Sequence, residues 1–114
     1  MQHDVDKYLF DVRQACALIA EFTSGKVFAD YCRDAMLRSA VERQFQIIGE
    51  ALARIARLDA ATSQRITSHP RIIAFRNILV HAYAQVDNRV VWGVIEADLA
   101  TLASEVAALL GSDG

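Results

Sequence analysis

The strongest constraint on the fold is that apolar residues recur every three or four positions through most of the chain. A helix turns by about 100° per residue, so this spacing gathers the apolar side chains on one helical face. No segment shows a convincing strand alternation of apolar and polar residues. The pattern therefore predicts an all-α protein. The first stripe consists of Val5, Leu9, Val12, Cys16, Ile19 and Phe22.

Three more long helices are expected, and short loops separate them. The second should begin near Phe28 or Asp30 and continue to about Arg57, with its stripe at Leu37, Val41, Phe45, Ile48, Leu52 and Ile55. The third should extend from Pro70 to about Gln85, because proline is favoured in the first turn of a helix. The fourth should be capped by Asp87 or Asn88 and precede the tail at 111–114. Its stripe is Val91, Ile95, Leu99, Leu102, Val106 and Leu109.

Four amphipathic helices joined by short loops predict an up-and-down four-helix bundle. One extra short helical turn, around Ser63 to Ile66, is expected before the third long helix. Gly49 lies inside the second helix, where glycine costs about 1 kcal/mol relative to alanine. A close helix crossing or a bend would explain it, and a tolerated small residue is the alternative.

Length and charge restrict the function classes. The 114 residues fit one domain, 1–114. Although 54% of the residues are apolar, no apolar run approaches the roughly 20 residues of a membrane span, and the polar N-terminus does not resemble an export signal. A cytoplasmic protein is expected. The net charge of −2 argues against a broadly basic surface that coats nucleic acid, so any RNA site must be local.

The segment 76–83, Arg-Asn-Ile-Leu-Val-His-Ala-Tyr, concentrates the reactive side chains of the chain. Arg76 offers a fork of donors suited to phosphate, and His81 can exchange protons near neutral pH. On an ideal helix Arg76 and Tyr83 share a face, and Asn77 lies one turn before His81. Arg76 and His81, however, diverge by about 140° around the axis. Either the arginine reaches round, the helix deforms, or a second subunit completes the site.

Other polar residues have simpler interpretations. Cys16 and Cys32 lack the close pairing of a metal or redox motif and are expected to be small core residues. His3 and His69 are interpreted as structural or solvent-facing. Arg38, Arg43 and Glu50 would most simply be solvated charges, although the arginines could extend a phosphate-binding surface and Glu50 could pair with an arginine. The scattered carboxylates give a metal enzyme little support.

The segment 76–83 resembles the signature of the HepT-like toxins of the HEPN superfamily: arginine, four residues, histidine, one residue, tyrosine. Matching stretches occur at 8–12, 22–25, 47–51 and 86–92, so the resemblance covers nearly the whole chain. Between Ala56 and Phe75 the chain is shorter than the family pattern. The motif alone is moderately specific, and its place on the third long helix strengthens it.

The divergence of Arg76 and His81 motivates the hypothesis of a homodimer. The resemblance implies a metal-independent ribonuclease that acts as the toxin of a toxin–antitoxin pair. Arg76 and His81 would be catalytic, with Asn77 in support. The partner would be an MntA-like minimal nucleotidyltransferase, which uses ATP to attach AMP to Tyr83; no metal or other cofactor is implied. The alternatives are a non-enzymatic module that binds nucleotide or the partner protein, and a chain that is itself the antitoxin of the pair.

Overall fold

The structure describes residues 2–81 and 86–111, without the side chains of residues 2 and 3. Helices account for nearly all of these residues. The structure is a computed structural model. The prediction of an all-α protein is confirmed. The helices are α1 (Gln2–Thr23), α2 (Phe28–Arg33), α3 (Ala35–Leu58), α4 (Ala60–Gln64), α5 (His69–His81) and α6 (Asn88–Gly111).

The four long helices form a bundle in which α3 lies between α1 and α5. Helix α1 also packs on α6, and the short α2 contacts both α3 and α6. The predicted stripes form the core, because each buries its apolar face against a neighbour. All six stripe residues of α3 are buried, as are the first five of α1, whereas Phe22 is only partly buried. In α6, Ile95 of the predicted stripe is only partly buried, and the neighbouring Val94 is buried in its place.

The prediction of one uninterrupted second helix is wrong, because the chain breaks at Asp34. The backbone of Asp34 is extended, with φ −115° and ψ 97°. Its carboxylate accepts a hydrogen bond from the backbone N–H of Leu37 at 3.0 Å and thereby caps α3. On the other side, Arg38 donates to the carbonyl oxygens of Tyr31 and Cys32 at the end of α2. The aspartate's own side chain therefore replaces the helical hydrogen bond that the break removes.

The connection between α3 and α5 is held by side chains at both ends. Asp59 caps α4 by accepting from the backbone and the hydroxyl of Thr62, so that α4 begins three residues before the predicted turn. Farther along, Thr67 donates from its backbone N–H and its hydroxyl to the carboxylate of Glu105 on α6, at 3.0 and 2.6 Å. These contacts fix the point at which α5 begins.

The remaining predictions on the loops and the cysteines have mixed outcomes. Gly25 adopts a φ of +72°, as expected for a glycine loop after α1, and Asp87 accepts from the backbone of Arg89 at the start of α6. Cys16 is a buried core residue, and burial raises the pKa of its thiol to about 12; Cys32 is only partly buried. The predicted end of the third helix near Gln85 lies outside the described residues. The assignment of residues 1–114 to one domain stays a prediction.

Candidate functional site

Arg76 lies at the point where α5 crosses α3. At this crossing Gly49 faces the arginine, and a Cβ atom added to Gly49 would overlap the Cβ atom of Arg76 and lie 2.6 Å from its Cγ. Real Cβ atoms do not approach a neighbour so closely. The two helices therefore pack at a distance that only glycine permits. Of the explanations considered for Gly49, the close helix crossing is confirmed.

A short network of charges holds the Arg76 guanidinium. One terminal nitrogen donates to the carboxylate of Glu50 at 2.6 Å, and the other donates to the side-chain oxygen of Asn77 at 2.9 Å. Glu50 also accepts from Arg54 at 3.1 Å, so two arginines share its carboxylate. A guanidinium carries five N–H groups, and this network uses two of the five on Arg76. Three donors remain for another acceptor.

Glu50 is thus a site residue that sequence reasoning did not include. The solvated carboxylate was the simpler interpretation, and the structure shows the alternative, a pair with an arginine. The signal in the sequence was its position next to Gly49. That signal acquires meaning only when the glycine is known to touch the helix that carries Arg76.

His81 occupies a different side of α5. It is exposed and is the last residue of the helix. In residues 2–81 and 86–111, no side chain forms a hydrogen bond or an ion pair with it. Asn77, one turn earlier, directs its oxygen to Arg76. Tyr83 lies outside the described residues, so its expected place beside Arg76 stays a prediction.

A cleft of about 440 Å³ opens beside Arg76. Helix α3 forms its floor, and α1 and α5 form its sides. His81 is not among the described residues that line it, so the structure does not bring the two motif residues together within one chain. The lining residues are Lys7, Tyr8, Asp11, Arg43, Gln46, Ile47, Glu50, Ala51, Arg76 and Val80.

The other polar candidates separate into structural and accessible groups. Arg38 is occupied by the carbonyl oxygens at the end of α2, and His69 lies 3.4 Å from the hydroxyl of the buried Ser63. Both therefore serve the fold. Arg43, by contrast, lines the cleft. Sequence reasoning gave Arg38 and Arg43 the same interpretation. Their different roles, one structural and one at the cleft, depend on which neighbouring helix each arginine faces.

Residues 2–81 and 86–111 contain no group of three side chains that could hold a metal ion. In the same part of the chain, none of the helices combines the length and apolarity that a bilayer crossing requires.

Comparison with known proteins finds relatives along almost the full chain. A family model described as "Ribonuclease HepT-like" matches residues 12–109. The "Probable ribonuclease HepT" of Thermococcus cleftensis is 36% identical over 107 residues, which are 90% of this chain and 92% of that protein. A "Putative RNase" of Methanocaldococcus jannaschii is 29% identical over 92% of this chain and 95% of its own length. No solved structure gives a significant match.

Proposed function

Because the chain belongs to the family of HepT-like ribonucleases, we propose that it is an endoribonuclease and the toxin of a toxin–antitoxin pair. The observation that carries this proposal is the placement of Arg76. Its guanidinium is fixed at a cleft by Glu50 and Asn77 and still has free donors. A fixed arginine with open N–H groups is suited to a phosphate, because its planar fork matches two phosphate oxygens.

RNA cleavage by such a site requires no external nucleophile. The 2′-oxygen of a ribose attacks the adjacent phosphorus, and the bond from phosphorus to the 5′-oxygen of the next nucleotide breaks. A proton leaves the 2′-hydroxyl and another reaches the departing 5′-oxygen. We assign one of these proton transfers to His81. Arg76 would stabilise the negative charge that grows on the phosphate oxygens in the transition state.

We further propose that the active form is a homodimer. Arg76 faces the cleft, whereas His81 lies on the exposed side of α5. Two large apolar residues of the same helix, Ile78 and Val80, are 47% and 41% exposed. A two-fold interface along α5 would cover them and would bring the His81 of one chain toward the Arg76 of the other, because such an interface presents each surface twice.

Replacement of His81 by alanine tests the ribonuclease proposal. Purified His81→Ala protein is expected to cleave a structured RNA at least about 100-fold more slowly than the unchanged chain, since a positioned proton-transfer group contributes that much or more. The matched control is His69→Ala, which removes a histidine that contacts Ser63 outside the cleft. Cleavage is followed by gel electrophoresis of end-labelled RNA.

The control should retain most of its cleavage rate. Equal RNA loss with both variants would assign the activity to a contaminant and contradict the proposal. In that case the rival function, a module that binds nucleotide or a partner protein without cleavage, would be the better explanation of a paired Arg76 beside a cleft.

Regulation is proposed to occur through Tyr83 and the product of a neighbouring gene, an MntA-like nucleotidyltransferase. Tyr83 follows Arg76 by seven residues, and on a continuous helix it would share the arginine's face. AMP attached to its hydroxyl would place a phosphate beside the guanidinium, and its bulk would exclude RNA.

Intact-mass measurement tests this regulation. Protein produced together with the nucleotidyltransferase is expected to gain mass in whole multiples of AMP, and Tyr83→Phe protein should gain none, because it lacks the acceptor hydroxyl. Tyr8→Phe serves as the control for loss of a tyrosine elsewhere. An unchanged mass in the presence of the partner would contradict the modification, and growth arrest caused by the nucleotidyltransferase alone would reverse the roles of the two proteins.

A further inference from the structure

Arg43 is an accessible cation in the cleft beside Arg76. It lies on the exposed face of α3, seven residues before Glu50, which is about 10 Å along the helix axis. No carboxylate of the described residues lies within 4.0 Å of its side-chain nitrogens. Among the described residues, its hydrogen-bond partner is the amide oxygen of Gln46, at 3.4 Å. The guanidinium is therefore available to an anion that enters the cleft.

An aromatic ring forms part of the opposite wall. Tyr8 on α1 is half-buried, so the protein holds its ring in place, and the ring still lines the cleft. The ammonium of Lys7 lies over the ring, 5.1 Å from its centroid, on a side chain that is 67% exposed. A base can stack on the ring when this solvent-exposed side chain moves aside, because nucleic-acid bases stack on aromatic faces whatever their identity.

The charges around the cleft determine which way a bound nucleotide is oriented. Asp11 pairs with Lys7 at 3.2 Å on the α1 side, and Glu50 pairs with Arg76 on the α5 side. Both carboxylates repel a phosphate, and each is paired with a cation. Arg76 keeps free N–H donors and is assigned to the phosphate of the cleaved bond, so a second phosphate needs another cation. Arg43 is the lining cation without such a partner among the described residues, so the phosphate should lie at Arg43 and the base should lie toward Tyr8.

The size of the cleft agrees with a single nucleotide. Pockets for small molecules and cofactors are commonly about 300 to 1,000 Å³, and this cleft has about 440 Å³. Arg76 lines the cleft, so a nucleotide bound in the cleft could belong to the same RNA strand as the phosphate that Arg76 contacts. Arg43 lies about 10 Å along α3 from Glu50, the partner of Arg76, so the two arginines can contact different phosphates of one strand.

We propose that this cleft is a subsite for one nucleotide of a single-stranded RNA, next to the nucleotide that is cleaved, with its phosphate on Arg43 and its base stacked on Tyr8. The inference rests on the proposed ribonuclease function for the identity of the strand. The binding itself depends only on the residues of the cleft. Binding and cleavage can therefore be tested separately.

The test is the affinity for a single-stranded oligonucleotide with 2′-O-methyl groups, which cannot be cleaved because it lacks the attacking hydroxyl. Arg43→Gln is expected to raise the Kd about tenfold in fluorescence anisotropy and to lower the slope of log Kd against log salt by about 0.7, the value for one phosphate contact with a single strand. Arg65→Gln makes the same change at an exposed arginine that does not line the cleft, and it should alter neither quantity.

The ring is tested with two substitutions. Tyr8→Leu should weaken binding about fivefold or more, as expected for loss of one stacked base, whereas Tyr8→Phe should keep the affinity. Equal affinities of Arg43→Gln and Arg65→Gln, or of Tyr8→Leu and Tyr8→Phe, would overturn the subsite. Circular dichroism melting of each variant confirms that it remains folded.

A second ligand distinguishes a strand site from a site for free nucleotides. AMP should bind more weakly than the oligonucleotide and should lose affinity in Arg43→Gln. Tight AMP binding, together with an oligonucleotide Kd that Arg43→Gln leaves unchanged, would overturn the proposal. If the unchanged protein does not cleave RNA and Arg43→Gln still weakens oligonucleotide binding, the subsite stands and the ribonuclease proposal fails.

Discussion

Gly49→Ala is expected to destabilise the protein and to reduce RNA cleavage about 100-fold. The added Cβ atom would overlap the Cβ atom of Arg76, which cannot turn away because the α5 backbone fixes its position. Helices α3 and α5 must therefore move apart. Overpacking of this kind costs about 1 to 3 kcal/mol, against a gain of about 1 kcal/mol in helix propensity. A shift of about 1 Å in a catalytic group can account for the loss of rate.

The control for this variant is Gly93→Ala in α6. Gly93 is also a helical glycine, and a Cβ atom added there meets nothing within 4 Å. The same substitution should stabilise the protein by up to about 1 kcal/mol and leave cleavage unchanged. Urea unfolding gives the free energy of unfolding of each variant. Equal effects at the two glycines would refute the close crossing as the cause.

A mixture of two inactive variants is expected to recover RNA cleavage. Arg76→Ala and His81→Ala should each be inactive alone, because each homodimer lacks one residue type in both sites. After the two chains are unfolded and refolded together at equal amounts, half of the dimers are mixed. Each mixed dimer carries one intact site if Arg76 and His81 come from different chains. The expected rate is about a quarter of that of the unchanged protein.

The control mixture combines Arg76→Ala with the double variant Arg76→Ala/His81→Ala, which can form no intact site. It should recover nothing. If the first mixture also stays inactive while native mass spectrometry shows mixed dimers, both residues act within one chain. Arg76 would then have to leave Glu50 and turn around α5 toward His81.

The helices could be predicted from the sequence where the burial of apolar side chains alone determines their extent. The stripe of α3 needs no knowledge of its neighbours, because its six apolar residues must leave water together. The break at Asp34 was not predictable in this way. Aspartate is acceptable on the solvated face of a helix, and it becomes a cap only when the chain turns there, which depends on how α2 packs against α3 and α6.

The candidate site was predictable only in its residue types. Arg76 and His81 were assigned through the resemblance of segment 76–83 to a family signature, and their divergence around α5 agrees with their separate surroundings in the structure. The partners of Arg76 could not be derived, because Glu50 lies 26 residues earlier and meets it through a helix crossing. Arg43 and Tyr8 likewise become neighbours of one cleft only through the packing of α1 on α3.

The contact at Gly49 also bears on how distant relatives should be interpreted. The atom that excludes a larger residue at position 49 includes the Cβ of residue 76, which every amino acid except glycine carries. A relative that has lost the arginine, and with it the proposed activity, would still be stabilised by glycine at position 49. Glycine at this position therefore reports on the close helix crossing, and the residues at positions 76 and 81 distinguish a working enzyme from an inactive copy.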